Sequence, residues 1–408
     1  MITKEEIFEM HLGGKIGVEL LRDLETQRDL SIAYTPSVAQ VCKAIEEDKD
    51  LAYKYTAKGN TVAVATDGTA VLGLGNIGAE ASIPVMEGKA VLFKRFGWVD
   101  AWPICVNYRV DGKTDVERFI DHIAAETYYG GINLEDIAAP ACFEIEDRLD
   151  AMLDIPVFHD DQWGTAIITL AGVKNYCLLS KKAIEELSIV INGAGAAGIR
   201  IGDMLSNAGA KNIILVDSKG VIHSKRDDLN KMKKKYAHET SKRTLDEAMK
   251  GADLFIGVSV ADCVTGEMIK SMNDYPAIFA MANPDPEIKP SQVKEVMGKK
   301  PYIMATGRSD YNNQINNVLG FPYIFRGALD VRATTISMGM KEAASDALAQ
   351  LAQIGNVPDS VKKAYKRTDF DFGPEYIIPN PFDPRLLEHV SSAVSKAALK
   401  DGSSSCQF

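Results

Sequence analysis

Missing from this 408-residue sequence is any apolar run approaching the roughly 20 residues that a membrane-spanning helix needs. Paired cysteines are missing too. Cys42, Cys105, Cys142, Cys177, Cys263 and Cys406 are scattered without a C-x-x-C spacing, which excludes a zinc ribbon and a disulfide framework and suggests reduced thiols in a cytosolic compartment. There is no basic excess: 46 Lys and Arg stand against 56 Asp and Glu, a net charge of −10 that argues against an electrostatic nucleic-acid partner. The start, MITKEEIFEMH, is already charged at Lys4 and carries no signal-peptide apolar core. No internal repeat or low-complexity linker interrupts the chain. What remains is an ordinary globular composition, 46% hydrophobic and 25% charged, long enough for two domains.

The most informative stretch is Leu187–Asp217. Ile189-Val190-Ile191 is short and apolar, as a strand buried on both faces requires. Gly193-Ala-Gly195-Ala196-Ala197-Gly198 follows, and then Ile199, Ile201, Met204 and Leu205 recur at helical spacing. A second apolar strand ends in Asp217. Gly193 permits a tight turn, Gly195 lets backbone approach a pyrophosphate, and Gly198 lets the helix lie close to the strand. The helix start offers free N–H groups to phosphates, and Asp217 is placed to accept from a ribose hydroxyl. A lone glycine turn would be unspecific, but the whole strand–turn–helix–strand unit points to a dinucleotide. Further strands are expected at Leu254–Val258, Ala277–Ala282 and Tyr302–Ala305.

Earlier in the chain, a helical region is expected over residues 4–30, broken at Gly13-Gly14, with apolar positions that could pack on this chain or on a second subunit. Tyr34, before Thr35-Pro36, sits at an element end and on position alone is an ordinary packing residue. A hairpin is expected from Val62–Val64 and Ala70–Leu72. A second G-x-G-x-x-G, Gly73–Gly78, is discounted because only about eleven residues and Pro84 separate it from a strand-like run at Ala90–Phe93. Lys89 would stand at the mouth of that strand, where lost solvation lowers a lysine pKa, although a solvated lysine beside a turn is the simpler reading.

Two short strands, Ile132–Leu134 and Ile155–Phe158, joined by a helix over Pro140–Leu153, would deliver Glu135-Asp136 and Asp160-Asp161 to one sheet edge. Crowded carboxylates invite Mg²⁺ or Mn²⁺. Acidic helix caps explain them equally well at this level. Glu146 and Asp147 fall mid-helix, where a solvated face is expected. Asn283 and the Asn316-Asn317 pair could cap helices or bind a carboxylate through their NH₂ groups. A helix is expected over Met338–Leu351, the last helix starts at Asp383-Pro384, and Asp401–Phe408 reads as a frayed tail.

Taken in order, Ala33-Tyr34-Thr-Pro, Leu72–Gly78, Pro84-Val-Met-Glu-Gly-Lys89, Gly131–Asp136, Phe158-His-Asp-Asp161, Gly193–Gly198, Ala282-Asn-Pro284, Thr306–Asp310 and Gln314–Asn317 resemble the short, prokaryotic-type malic enzymes. The likeness spans roughly residues 10–400. It implies oxidative decarboxylation of L-malate to pyruvate and CO₂ with NAD⁺ or NADP⁺ and Mg²⁺ or Mn²⁺. It further implies Lys89 as general base, Tyr34 as the acid that protonates C3, and Glu135, Asp136 and Asp161 as metal ligands beside Asp160. Asn283, Asn316 and Asn317, with Lys89, would meet the substrate, and Gly193, Gly195, Ala196, Ala197, Gly198 and Asp217 the cofactor.

Trp98 and Trp163 depart from the family pattern and could alter the pocket, and Ala70 stands where longer members place a substrate arginine. Asp217 favours NAD⁺, whereas Lys219, Lys225 and Arg226 could offset it for NADP⁺, and the balance leans slightly to NAD⁺. The expected architecture is α/β: an N-terminal α/β catalytic domain over residues 1–160, a Rossmann-type doubly wound parallel-sheet domain over 161–370, and a C-terminal helix and tail over 371–408. A homodimer without nucleic-acid or membrane partners is expected. A malolactic conversion, a metal-independent amino-acid dehydrogenase and a non-catalytic nucleotide sensor are the alternatives, and the second leaves the three acids unexplained.

Overall fold

The computed structural model describes residues 2–71 and 73–405. Two parallel sheets organise them. In the first, strands run side by side in the order Asp100–Cys105, Thr61–Thr66, Gly131–Leu134 and Val157–His159. In the second, Ile303–Thr306, Ala277–Ala280, Leu254–Gly257, Ser188–Asn192 and Asn212–Asp217 are parallel, and Gly220–Val221 adds a short antiparallel edge. Such strands are covered by helices on both faces and so need unbroken apolar runs. Val62-Ala63-Val64-Ala65 and Leu254-Phe255-Ile256 meet that need and are fully buried. The chain passes from Ser188–Asn192 to Asn212–Asp217 on one side and then to Leu254–Gly257 on the other. That reversal opens a crevice at the carboxyl end of Ser188–Asn192, the usual ligand position in an open α/β sheet.

Several local expectations are corrected. The hairpin at Val62–Val64 does not form, because both edges of Thr61–Thr66 are taken by parallel partners; Leu72 lies outside the described residues. The chain turns instead on Asp67, whose carboxylate accepts from the Thr69 N–H and from the Thr69 and Thr114 hydroxyls. Ala90–Phe93 is not a strand but part of a helix, Ala79–Gly97, that runs through Pro84. Met86, Ala90, Phe93 and Gly97 share its buried face, and Phe93 packs edge-on against Phe321 and Phe325. That packing outweighs the one hydrogen bond a proline removes early in a helix. The unit Thr61–Thr66, glycine loop, Ala79–Gly97, Asp100–Cys105 is therefore a genuine parallel crossover, and the reason for discounting Gly73–Gly78 fails.

At the N-terminus, two short helices, Lys4–His11 and Gln27–Ala33, each open with a Thr–acid capping box, and neither carries a buried residue. The last helix is Arg385–Asp401, with Pro384 as its N-cap. Beyond it the tail is held, not frayed: Thr334 N–H donates to the Ser403 carbonyl, and Ser405 N–H to that of Arg332. Residues 406–408 lie outside the described residues. The helix Thr165–Ser180 is apolar all round and buried over Ala166–Val173, packed against the helices Ala196–Asn207 and Met338–Ile354. One continuous apolar cluster joins both halves through it. The helix Phe321–Asp330 packs on Ala79–Gly97 and on Arg385–Asp401, returning from the second sheet to the first. No helix among the described residues is long and apolar enough to cross a membrane.

Candidate active site

The first sheet presents its acids as expected, at the carboxyl ends of adjacent strands. Glu135 and Asp136 follow Gly131–Leu134, while Asp160 and Asp161 open a single π-helical turn, Asp160–Gly164, after Val157–His159. One carboxylate oxygen from each of Glu135, Asp136 and Asp161 lies within 4.8 Å of the others. Asp136 reaches this place through a left-handed backbone, φ 54°, which aspartate tolerates better than most residues. Its N–H donates to Asp161 Oδ2 at 2.8 Å, which locks the two strand ends together.

Lys89 reaches this cluster from the middle of Ala79–Gly97 and not from a strand mouth. Its Nζ lies 2.8 Å from Glu135 Oε1 and 2.6 Å from Asp160 Oδ2, and 4.3 Å above the Phe321 ring. Asn133 donates to Glu135 Oε2 at 2.9 Å. Burial pushes Asp161 up to about 6, helped by Asp160 and opposed by Lys89. Burial raises Glu135 well above the usual carboxylate range in the same way, against the pull of Lys89. For Lys89, burial works against the charge, but Asp160, Glu135 and Asp161 outweigh it and hold the lysine above its ordinary range. The expected lowering is thus reversed wherever the carboxylates are left to Lys89 alone. Four acids against one ammonium leave surplus negative charge, and three carboxylates that close together form a hard-oxygen donor set suited to Mg²⁺ or Mn²⁺.

The asparagines come from the second sheet. Asn317 donates to Asp160 Oδ2 at 3.0 Å and accepts from the Thr165 hydroxyl at 2.9 Å, so its amide is committed to the acid turn. Asn316 caps its own turn and reaches the Gly307 carbonyl at 3.3 Å. Asn283 donates to the Met281 carbonyl. A Cβ on Gly73 would touch Pro284, which places the first glycine loop against the Asn283-Pro284 segment. Tyr34 is not brought in: its side chain is 67% exposed, at the end of a helix with no buried residue.

At the second glycine turn, Gly193 has φ 121° and no room for a side chain beside Val258 O. A Cβ on Gly198 would overlap the Gly193 carbonyl, whereas Gly195 faces open space. Ala196 and Ala197 begin the helix Ala196–Asn207. Asp217, expected to await a ribose, is already engaged: Arg226 donates to both its oxygens at 2.8 and 3.0 Å, Lys233 to Oδ2 at 2.6 Å, and Lys219 N–H to Oδ1 at 3.0 Å. Although burial works against its charge, these donors hold its carboxyl down at about 2.

Sequence reasoning missed a further cluster. Glu146 is buried, not solvated: it accepts from His159 N–H at 2.8 Å and from Trp163 Nε1 at 3.0 Å. Arg200 stacks on Trp163 and Phe143 and donates to Gln162 at 2.8 Å. The one available signal was Trp163 itself, a large amphipathic side chain two residues beyond Asp161. Trp98, by contrast, closes Ala79–Gly97 in a left-handed conformation and is 63% exposed, which explains physically why glycine suits that place.

Comparison with known proteins decides the family. Residues 13–150 match the model for the malic enzyme N-terminal domain, and residues 163–361 that for the malic enzyme NAD binding domain. The chain belongs to the malic enzyme family. Within it, the chain is 54% identical over 97% of its length to a probable NADP-dependent malic enzyme of Rickettsia prowazekii, and spans about half (51%) of that protein. It is 52% identical over 95% of its length to the NADP-dependent malic enzyme of Halomonas elongata, covering 91% of that one. The crystal structure of malic enzyme from Pyrococcus horikoshii superimposes with a TM-score of 0.89 at 41% identity, over 99% of this chain and 92% of that one. The family fold, two parallel sheets with a Rossmann-like second half, is the one described above.

Proposed function

We propose that the chain oxidises and decarboxylates L-malate to pyruvate and CO₂, reducing NADP⁺ in preference to NAD⁺. The observation that carries this is Lys89 in direct contact with Glu135 and Asp160 beside the three-acid cluster. Glu135, Asp136 and Asp161 would hold a divalent cation, whose chemistry is to polarise the C2 oxygen and stabilise enolate charge; the dinucleotide accepts the C2 hydride. With the carboxylates no longer free to hold its charge, Lys89 serves as the base for the C2 hydroxyl proton. Loss of the hydride makes C2 a ketone, the adjacent C3–carboxylate bond breaks to release CO₂, and its electron pair becomes the enolate. Protonation at C3 then gives pyruvate. Asn283 and Asn316 orient malate's carboxylates, and Asn317 keeps Asp160 turned toward Lys89.

Protonation at C3 is assigned to Tyr34, and its exposure bears on the assembly. The segment before it also exposes Ile7, Phe8, Met10, Leu20, Leu21, Leu24, Leu30 and Ile32. Such a face on a chain whose own site lacks the tyrosine fits a homodimer in which Tyr34 serves the second copy. The NADP⁺ preference rests on Asp217, whose acceptor oxygens are occupied by Arg226 and Lys233. Arg226, Lys233 and Lys219 against Asp217 and Asp228 leave one positive charge in excess at this strand end, suited to a 2′-phosphate.

The test is a coupled assay with L-malate, Mn²⁺ and either dinucleotide, following cofactor reduction together with pyruvate and lactate. Pyruvate formed in step with NADPH, abolished by EDTA and falling in specific activity on dilution, is the expected outcome. Turnover that survives EDTA would sink the metal mechanism, and lactate as product would replace it with the malolactic reaction.

A further inference from the structure

The dinucleotide helix and the acid turn are joined by a buried polar linkage that the reaction itself does not use. Arg200 lies in the helix Ala196–Asn207, two residues beyond Gly198. Its side chain is 9% exposed, and it crosses from the second sheet to the π-helical turn that carries Asp160 and Asp161. There its Nε donates to Gln162 Oε1 at 2.8 Å. Its guanidinium carbon lies 4.5 Å from the Trp163 ring and 5.2 Å from that of Phe143. Nη2 stands 3.5 Å from Glu146 Oε2 and 3.4 Å from Asp147 Oδ1, and Nη1 stands 3.3 Å from Asp203 Oδ2.

The same partners grip the turn from its other side. Glu146 accepts from His159 N–H and Trp163 Nε1, the residues that bracket Asp160, Asp161 and Gln162. Gln162 in turn donates to the Cys142 carbonyl at 3.2 Å. From His159 to Trp163 every residue except Asp161 is buried, and His159, Gln162 and Trp163 are each hydrogen-bonded to Arg200 or to its partner Glu146. A planar guanidinium with fixed donors suits this role, because it fixes orientation as well as distance.

From this arrangement we infer that Arg200 is a positioning residue that couples the two ligand sites: occupancy of the dinucleotide turn steadies Arg200, and Arg200 holds Asp161 in its cation-binding place. The inference rests on the metal reading above. Linkage is reciprocal, so each ligand must strengthen the other by the same factor. Residues that orient metal ligands without touching the metal characteristically change affinity by about 10-fold or more when removed.

The experiment measures Mn²⁺ binding to the full chain by electron paramagnetic resonance, with and without saturating NADP⁺ and in the absence of malate. In the unaltered chain NADP⁺ is expected to tighten Mn²⁺ binding several-fold. Arg200→Gln is expected to weaken Mn²⁺ about 10-fold and to abolish the effect of NADP⁺, with NADP⁺ affinity in the absence of Mn²⁺ nearly unchanged. Should Arg200→Gln fail to fold, Gln162→Met removes the acceptor of Nε while leaving the guanidinium its other partners, and is expected to reduce the effect of NADP⁺ at least by half. An undiminished NADP⁺ effect in whichever variant folds, or none in the unaltered chain, overturns the coupling. Absence of Mn²⁺ binding by the unaltered chain overturns the metal reading itself, and the coupling with it.

Discussion

Two strand–glycine–helix units share the pattern G-x-G-x-x-G and use it differently. In the second, Gly193 stands directly after the strand Ser188–Asn192, and the helix starts within the motif at Ala196. Helix and strand are drawn so close that Gly198 has no room for a Cβ. In the first, Gly73 lies seven residues beyond the strand end at Thr66, and the helix begins only after Gly78. Here the glycines shape a long loop, with Gly73, Gly75 and Gly78 all at positive φ, that lies against Pro284. Each helix then carries one buried cation toward the acid turn, Lys89 from the first and Arg200 from the second. The spacing of glycines is thus less informative than their register against the strand end, which decides whether a helix opens directly at that end or a long loop intervenes.

The largest effect should follow from emptying the first unit of its cation. Lys89→Met is expected to lower kcat by about 10³-fold while NADP⁺ binding, measured by fluorescence titration, stays within twofold. Next come the glycines themselves. Gly198→Ala forces the helix off the strand and is expected to weaken NADP⁺ binding about 10-fold. Gly75→Ala strains only its own backbone, costing about 1 kcal/mol of stability in chemical denaturation, with NADP⁺ affinity retained. Equal losses of dinucleotide binding in both variants would erase the distinction drawn between the units.

A smaller change is expected from Arg226→Ala. With one clamp removed, Asp217 regains acceptor capacity, and the ratio of kcat/KM for NADP⁺ over NAD⁺ should fall roughly 5-fold. An unchanged ratio would remove this strand end from cofactor choice.

The smallest effect concerns Lys341, whose Nζ lies 4.1 Å from the centre of the Trp163 ring. Burial lowers it to about 8, against the attraction of Glu146 and Asp150. Its pKa in the folded chain is therefore below the unfolded value near 10.4. The folded state gives up this proton first, so the contribution to stability rises with pH from about 8 to about 10.4. Lys341→Met should flatten that rise in urea titrations taken across the range. A rise of equal size in the variant would show that Lys341 is not its source.

Much of the second sheet was legible because a buried parallel strand announces itself as an apolar run: Ile189–Ile191, Leu254–Ile256 and Ala277–Ala280 all fall where expected. The acids were legible for the same reason, since each pair directly follows such a run. Lys89 was placed among the right residues but on the wrong element. Pro84 and Gly88 read locally as helix breakers, and only the Phe321 and Phe325 rings, more than 200 positions later, show what makes the helix worthwhile. Glu146 and Asp147 look alike in sequence. One is buried and the other exposed, because a neighbouring turn covers one side of their helix. Asp217 was located correctly, but Lys233 lies 16 residues on, and no pattern relates the two.

One consequence follows from the helix Phe321–Asp330. The ring over Lys89 belongs to residue 321, the acids that contact the lysine are residues 135 and 160, and the amide that holds Asp160 is residue 317. During synthesis, then, the lysine and its acids can meet long before their cover emerges. A ribosome must add more than 150 further residues before Asn317 and Phe321 can close over them. Until then the nascent first sheet holds a charged, water-exposed nest with no lid.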